Sequence, residues 1–282
     1  MQASKKNGTL YVMATAVLFS LGGVGIKYIP WPALAINGAR NGIATVIIFI
    51  YLKAIRHKVV VNRSVLIGSC CMFVTTTLYV MANKLTTAAN AIVLQFTAPV
   101  FIILAMWIFF HERPTRLDVS TCAVVLAGIC FFFIDGLRGG GTLGNALALL
   151  SGVSYAGVFM MSLLEGSDSL SSILLGQGVS AIVGLPFLLQ MQRAEFTRTA
   201  IAAVVMLGVF QLGLAYILFS KGLETTPPVV ASLTTGIEPI LNPVWVAIFH
   251  GEMISPLSLV GAVVVVGAIV VYNVKKAKQE QH

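Results

Sequence analysis

From Leu10 to Val274 the chain is a succession of apolar runs, each long enough to cross a bilayer and separated by short breaks. A spanning helix needs roughly 17 to 25 such residues. Inside hydrocarbon, every backbone N–H and C=O must find its partner within the segment or its bundle. The expected fold class is therefore all-α and integral to the membrane. Composition agrees: 57% of the 282 residues are hydrophobic and 10% charged, against ~25% charged in an ordinary soluble domain. The runs predict ten transmembrane helices, at about 9–28, 33–52, 65–83, 88–110, 117–134, 144–164, 171–190, 199–219, 228–249 and 257–274. Lys5 and Lys6 precede an apolar run with a small-residue trio, Ala14-Thr15-Ala16, which superficially resembles a cleavable leader. That trio lies early in a run continuing to Ile26, so the segment reads as an uncleaved first helix.

The net charge of +8 does not point to nucleic acid, because the basic residues cluster in short loops and at the C-terminus, where positive charge orients a membrane protein. With the N-terminus cytoplasmic, the inner side carries Lys5, Lys6, Lys53, Arg56, Lys58, Arg63, Arg113, Arg116, Lys221, Lys275, Lys276 and Lys278. The outer side carries only Lys27, Lys84, Arg138, Arg193 and Arg198. Both termini are therefore expected in the cytoplasm. Cys70, Cys71, Cys122 and Cys130 sit inside apolar runs without metal-ligand spacing and read as small core residues.

Sliding the chain against itself exposes an internal echo. At a spacing of 140, Thr86 matches Thr226, Ala91 matches Ala231, Pro99 matches Pro239, Ile108 matches Ile248, Phe109 matches Phe249 and Glu112 matches Glu252. After a one-residue slip Ala123 matches Ala262 and Gly128 matches Gly267; more faintly, Gly8-Thr9 echoes Gly144-Asn145 and Phe19 echoes Tyr155. Two halves follow, 1–135 and 144–275, with a cytoplasmic tail at 276–282. Five crossings per half is an odd number, so the halves must be inverted relative to each other. That is a recurring plan of secondary transporters, in which two halves rock about a central site.

Polar residues inside the spans are the candidate site. In the ninth helix Thr234, Glu238, Asn242 and Trp245 are spaced four, four and three apart, along one helix face. Glu238 falls near mid-membrane, where a lipid-facing carboxylate costs ~2.5 kcal/mol or more. Pro239 frees the carbonyl of Thr235, Pro243 that of Pro239, and Pro99 that of Gln95, since proline donates no hydrogen bond. The stretch reads as cavity wall, against the competing reading of a kinked helix with a purely structural acid. Compatible stripes are Met72, Thr76, Tyr79 and Asn83 in the third helix, Ser151, Tyr155, Val158 and Ser162 in the sixth, and Ser20, Gly23 and Lys27 in the first. Helix-spaced Ser and Thr also hydrogen-bond between packed helices without any ligand. Arg40, roughly 10 Å deep in the second helix at 1.5 Å per residue, can snorkel, pair with an acid or attract a substrate carboxylate. Gln95, Gln177 and Gln211 are intramembrane amides without an assigned role. Glu112 and Glu252 follow the fourth and ninth helices and are expected to satisfy free N–H groups at the next helix, with a gating role as the alternative.

Enzymatic readings find little support. His111-Glu112 lacks a second histidine at helical spacing, Gly152-Val153-Ser154-Tyr155-Ala156 departs from a nucleophile elbow at its last residue, and no phosphate loop of the GKS or GKT type is present. No cofactor or metal is expected, and transport would run on a gradient.

"NKLTTAANAIVLQFTAPVFIILAMWIFFHERPT" (83–115) and "GLETTPPVVASLTTGIEPILNPVWVAIFHGEMISP" (222–256) resemble the paired repeats of the EamA family in the drug/metabolite transporter (DMT) superfamily. The resemblance spans nearly the whole chain. It is weaker in the first and sixth helices, where Phe19 and Tyr155 stand in place of a frequent tryptophan. It implies a ten-helix carrier of two inverted five-helix EamA repeats, with a cavity lined by the first, third, fourth, sixth, eighth and ninth helices. Members move small metabolites, commonly amino acids and their derivatives. The expectation is a multi-pass carrier in the cell membrane, a monomer or weak dimer in its lipid bilayer, moving an amino acid or related compound by alternating access. The alternative cargo is an organic cation or quaternary amine such as choline. The expected substrate-binding residues are Thr76, Tyr79, Asn83, Tyr155, Tyr216, Thr234, Glu238, Asn242 and Trp245. Glu238 and Arg40 are the candidates for charge pairing or for coupling to a proton or another ion.

Overall fold

The computed structural model describes residues 2–139, 141–251 and 255–279, and the described residues form helices and turns without a strand. In chain order the α-helices are α1 (Gln2–Phe19), α2 (Gly22–Lys27), α3 (Ala33–Ala54), α4 (Arg63–Leu85), α5 (Ala88–Gln95), α6 (Ala98–Phe110) and α7 (Arg116–Gly139). They continue with α8 (Thr142–Met160), α9 (Ser169–Leu189), α10 (Arg198–Met206), α11 (Ala215–Leu223), α12 (Pro228–Thr234), α13 (Glu238–His250) and α14 (Pro256–Gln279). Among the described residues, seven helical segments are long and apolar enough to cross a membrane: Gly8–Lys27, Ala33–Ala54, Arg63–Leu85, Ala88–Phe110, Thr142–Leu163, Ser169–Leu189 and Arg198–Leu223. The other three expected spans fall on α7, on the interrupted run from α12 to α13, and on α14, where Pro256–Tyr272 is a shorter apolar stretch. Leu189, Phe109 and Ile182 are 76%, 74% and 72% exposed. Such an outward apolar belt suits lipid and not water.

Several spans that hydropathy reads as continuous are broken in mid-course. The first breaks at Ser20 and Leu21, just before the Gly22-Gly23 pair that opens α2, as two adjacent residues of low helix propensity favour. The fourth breaks between α5 and α6, with Pro99 in the first turn of α6. The ninth breaks at a 3-10 turn (Thr235–Ile237), with Pro239 in the first turn of α13. Both proline breaks have one cause, an imino nitrogen that cannot donate to the preceding turn. The eighth span contains a π-helical stretch, Leu207–Leu214, between α10 and α11. Such widened turns recur at functional sites.

Two helix ends run past their expected limits. α7 reaches Gly139, and α14 continues through Gln279, so the expected tail is helical over its first residues; Lys275 to Gln279 are good helix formers with no breaker among them. The cap expected from Glu112 is supplied by other residues. Thr115 Oγ1 accepts from Asp118 N at 3.2 Å while Asp118 Oδ2 accepts from Thr115 N at 2.6 Å, a capping box at the start of α7. Glu112 is exposed ahead of it, and Glu252 lies outside the described residues. The Tyr272 hydroxyl donates to Asp118 Oδ1 and ties α14 to α7. Cys70 and Cys130, expected in the core, face outward, while Cys71 and Cys122 are half-buried.

The bundle is held by close approach of small residues. α3 packs along α9, and α4 along both α8 and α9. Where α3 crosses α9, a Cβ on Gly38 would lie 2.7 Å from the Cα of Gly184. Only glycine at both positions allows that backbone-to-backbone contact, the small-residue packing that substitutes for a hydrophobic drive between helices in lipid. Gly184→Leu is expected to force α3 and α9 apart at an overpacking cost of about 1–3 kcal/mol. A Cβ on Gly267 meets nothing within 4 Å, so Gly267→Leu is the matched control. The check is the apparent melting temperature of the detergent-purified protein, which should fall for the first variant and hold for the second.

Candidate functional site

Helix breaks and inward polar residues converge on one small cavity in the middle of the bundle. Arg40 comes from α3, Thr75, Thr76 and Tyr79 from α4, and Tyr155 from α8. Gln95 ends α5, Gln211 and Leu212 lie in the π-helical stretch, Tyr216 lies in the first turn of α11, and Phe19 ends α1. Glu238, the first residue of α13, completes the wall. The volume is about 20 Å³, room for about one water. The cavity is thus closed around itself, and its polar groups lie within reach of one another through little intervening space.

The guanidinium and the acid on this wall, Arg40 and Glu238, do not pair with each other. Glu238 is 4% exposed, and its Oε2 has no hydrogen-bond partner. Arg40 is 1% exposed and donates to three neutral acceptors: Gln211 Oε1 at 3.3 Å, Asn37 Oδ1 at 3.4 Å and the Thr76 carbonyl at 3.3 Å. Its Nε has no partner. Arg40 and Glu238 form no ion pair within 4.0 Å among the described residues. The Tyr79, Tyr155 and Tyr216 side chains on the same wall are buried as well. On the α5 side, Gln95 Nε2 donates to Ser151 Oγ at 2.5 Å, and that hydroxyl donates on to the Thr75 carbonyl at 3.3 Å. As it stands the cavity admits about one water; widened, the same donors, acceptors and rings would suit a small polar molecule. Among the described residues no cluster of three His, Cys, Asp or Glu is placed to hold a metal ion.

The remaining expected residues, Asn83, Thr234, Asn242 and Trp245, lie off the cavity wall, and two of them, Asn242 and Trp245, close one end of it. Asn242 donates from Nδ2 to the Tyr79 hydroxyl at 3.4 Å, and its amide lies against Gly23, where any Cβ would collide with it. Trp245 donates from Nε1 to Ser20 Oγ at 3.1 Å. Farther along, Lys27 Nζ donates to the Thr86 carbonyl at 3.1 Å, Lys84 Nζ to the Ile29 carbonyl at 2.5 Å, and the Tyr28 hydroxyl to the Phe249 carbonyl. Asn83 is buried one turn beyond Tyr79 with both amide atoms unpartnered. Thr234 donates to the Val230 carbonyl at 2.7 Å within its own helix. The 3-10 turn between Thr234 and Glu238 breaks the register that would have put both on one face.

At the other end the bundle opens into a cavity of about 730 Å³, lined by Tyr51, His57, Ser162, Asp168, Ser220 and Lys221 among others. Phe159 and Phe219 lie between the two cavities along α8 and α11, fully buried, with ring centroids 5.1 Å apart. Phe159 also contacts Tyr155 at 4.7 Å, and Phe219 contacts Tyr216 at 5.9 Å. This aromatic cluster separates the closed centre from the open end.

Sequence reasoning assigned no role to Phe19, Thr75, Gln95 and Gln211. The two glutamines were nevertheless visible as amides in apolar spans, which burial without partners makes costly; for Thr75 and Leu212 no such signal exists.

The EamA-like transporter family model matches residues 6–134 and again 142–274. The chain is 26% identical over 221 residues, 77% of its own length and 75% of the relative's, to the uncharacterized transporter YwfM of Bacillus subtilis (strain 168). It is 25% identical over 203 residues to an uncharacterized transporter of Archaeoglobus fulgidus, covering 71% and 72% of the two chains. A crystal structure at 18% identity superposes with a TM-score of 0.71 over 98% of this chain and 99% of that one, a likeness of fold. With two family matches that together cover most of its length, the chain belongs to the EamA-like transporter family of the drug/metabolite transporter superfamily and is a multi-pass membrane transporter.

Proposed function

We propose that this chain is a secondary transporter that carries a small polar metabolite, an amino acid or a related compound, across the cytoplasmic membrane by alternating access. The observation that carries the reading is the buried carboxylate of Glu238, with an unpartnered oxygen on a cavity shared with three tyrosines and a buried guanidinium. A buried unsatisfied polar atom costs about 1–3 kcal/mol; a cargo ammonium would relieve that cost, which is a reason for the site to bind one. The tyrosine rings would pack the cargo's side chain.

Two inverted five-helix halves, 1–135 and 144–275, are part of the same proposal. The twofold match of the family model and the 140-residue echo support it, and ten crossings would return both termini to the cytoplasm. The charge count assigns the open end, with Tyr51, His57 and Lys221, to the cytoplasmic side. Cargo would enter there once Phe159 and Phe219 part, and leave on the other side once Asn242 and Trp245 release α1 and α2. Coupling to a proton or another ion through Glu238 fits the same geometry, as does function as a monomer or weak dimer in the bilayer. A quaternary amine is the second reading, favoured by the aromatic rings around a single acid, since cations bind ring faces.

Two measurements test this. A ligand that binds only the folded protein raises its apparent stability. Amino acids and amines should therefore raise the melting temperature of wild type, and Glu238→Gln should weaken the effective ligand about tenfold or more, the worth of one charge-assisted hydrogen bond. A shift unchanged in a folded Glu238→Gln protein would remove the carboxylate from the binding role. In a background with the four native cysteines replaced, Glu224→Cys, exposed on the open cavity, is expected to react with a membrane-impermeant thiol reagent from the cytoplasmic side without cargo, and Asn83→Cys to stay protected. Labelling of Glu224→Cys from the outside alone would reverse the assigned sidedness.

A further inference from the structure

Arg40 presents an unusual balance. It is a fully buried guanidinium, which stays charged in a protein, and no acid pairs with it among the described residues. Its three acceptors are neutral and stand at 3.3–3.4 Å, longer than the 2.7–2.9 Å of a good charge-assisted bond. Two of them are fixed by their own surroundings: the Thr76 acceptor is a backbone carbonyl of α4, and Asn37 Oδ1 also accepts from Asn41 Nδ2 at 2.8 Å. The third, Gln211 Oε1, belongs to a side chain that lines the cavity beside Arg40.

The local backbone delivers Gln211 to that place. It sits within the π-helical stretch, whose wider turn redirects side chains relative to the α-helix on either side. Gly208, in the same stretch, brings the backbone against α3: a Cβ there would lie 2.5 Å from Ile43 Cβ and 3.0 Å from the Arg40 carbonyl oxygen. On the opposite flank Gly22 leaves room for the amide, since a Cβ there would stand 3.1 Å from Gln211 Nε2. The site thus holds a neutral amide oxygen against a buried cation, on a wall that also carries the unpaired Glu238.

We infer that Gln211 is a placeholder: its amide oxygen occupies a carboxylate subsite on Arg40 while the cavity is empty, and a cargo carboxylate displaces it. The inference rests on the amphoteric-cargo reading above and deepens it, because it makes the Arg40–Gln211 pair the element that selects an amino acid over the corresponding amine. A carboxylate offers Arg40 shorter, charge-assisted bonds than the amide does. A compound lacking the carboxylate leaves Gln211 in place and gains nothing from Arg40. Gln211 is accordingly a positioning and specificity residue, acting through Arg40.

The test measures thermal stabilisation of the purified full-length protein by the twenty protein L-amino acids and by the amines left when their carboxylate is removed. Its readout is the preference for each amino acid over its own amine. Wild type should prefer at least one amino acid by about tenfold, the worth of one charge-assisted bond. Gln211→Glu supplies a permanent carboxylate to Arg40 and should cut that preference about tenfold. Gln211→Met removes the competing acceptor without adding charge; it should melt lower when empty yet show a larger preference than wild type, a combination that a merely structural glutamine would not give. If Gln211→Glu fails to fold, Gln211→Met alone decides. An amino-acid preference unchanged in the variants overturns the inference and leaves the cargo reading standing. Stabilisation of wild type by amines alone overturns it in favour of an organic cation. If neither class acts on wild type, the cargo reading falls and the inference falls with it.

Discussion

A chain in hydrocarbon has nowhere to send a free peptide group except to another part of itself. Among the described residues, the two proline-linked breaks occur where that obligation can be met inside the bundle. The break at Phe96 and Thr97 leaves the Gln95 carbonyl oxygen directly against Gly152 of α8, where a Cβ would lie 2.8 Å from it. Thr97 returns its own hydroxyl to the Leu94 carbonyl at 2.7 Å, as Thr235 does to the Ser232 carbonyl at 2.8 Å in the other broken span. The same breaks release Gln95 and Glu238 from uniform helix faces and set both on one cavity wall. The irregular backbone and the polar centre are therefore consequences of each other: the breaks would be too costly on the lipid face, and the polar residues could not converge without them.

Most of the architecture was legible because its cause is local. Apolar run length and proline position are properties of short segments, and they account for the helical membrane class and the interruptions near Pro99 and Pro239. What sequence could not supply was register across an interruption. Thr234 and Glu238 share a face only if the helix between them is regular, and one 3-10 turn separates them. Asn242 and Trp245 remain on the predicted stripe, yet they meet Tyr79 and Ser20 and close one end of the cavity instead of lining it. Gln211 shows the complementary limit. An amide in an apolar span announces a partner, but the partner, Arg40, stands 171 residues away and is reached only through a π-helical turn that no periodicity of 3.6 forecasts.

The cavity's electrostatics follow from a restraint on pairing. A guanidinium and an acid on one dry wall gain most by meeting, and Arg40 and Glu238 form no ion pair. Arg40 is drawn away by three acceptors on α3, α4 and the π-helical stretch, and Glu238 is fixed at the start of α13 by the proline that follows it. Keeping a buried cation and a buried acid apart costs stability, because breaking such a pair is worth several kcal/mol where it has formed. A bundle selected for stability alone would have closed that gap or replaced both residues. On the proposed reading, an occupant bearing both charges would recover that cost.

The same tyrosines that wall the cavity also touch its two closures. Tyr79 accepts the hydrogen bond from Asn242 that joins α4 to α13 at one end of the cavity. Tyr216 packs on Phe19 at 4.8 Å and on Phe219, within the aromatic cluster that faces the open end. A molecule that enters and engages the Tyr79 hydroxyl competes with Asn242, and one that shifts the Tyr216 ring disturbs Phe219. Occupancy can bias a conformational equilibrium only through contacts that differ between the two states, and in the proposed cycle Tyr79 and Tyr216 would supply such contacts at opposite ends of one cavity. In the proposed cycle a ligand too small to reach both would bind without moving the seals, so cargo selection and the switching of access would draw on the same side chains.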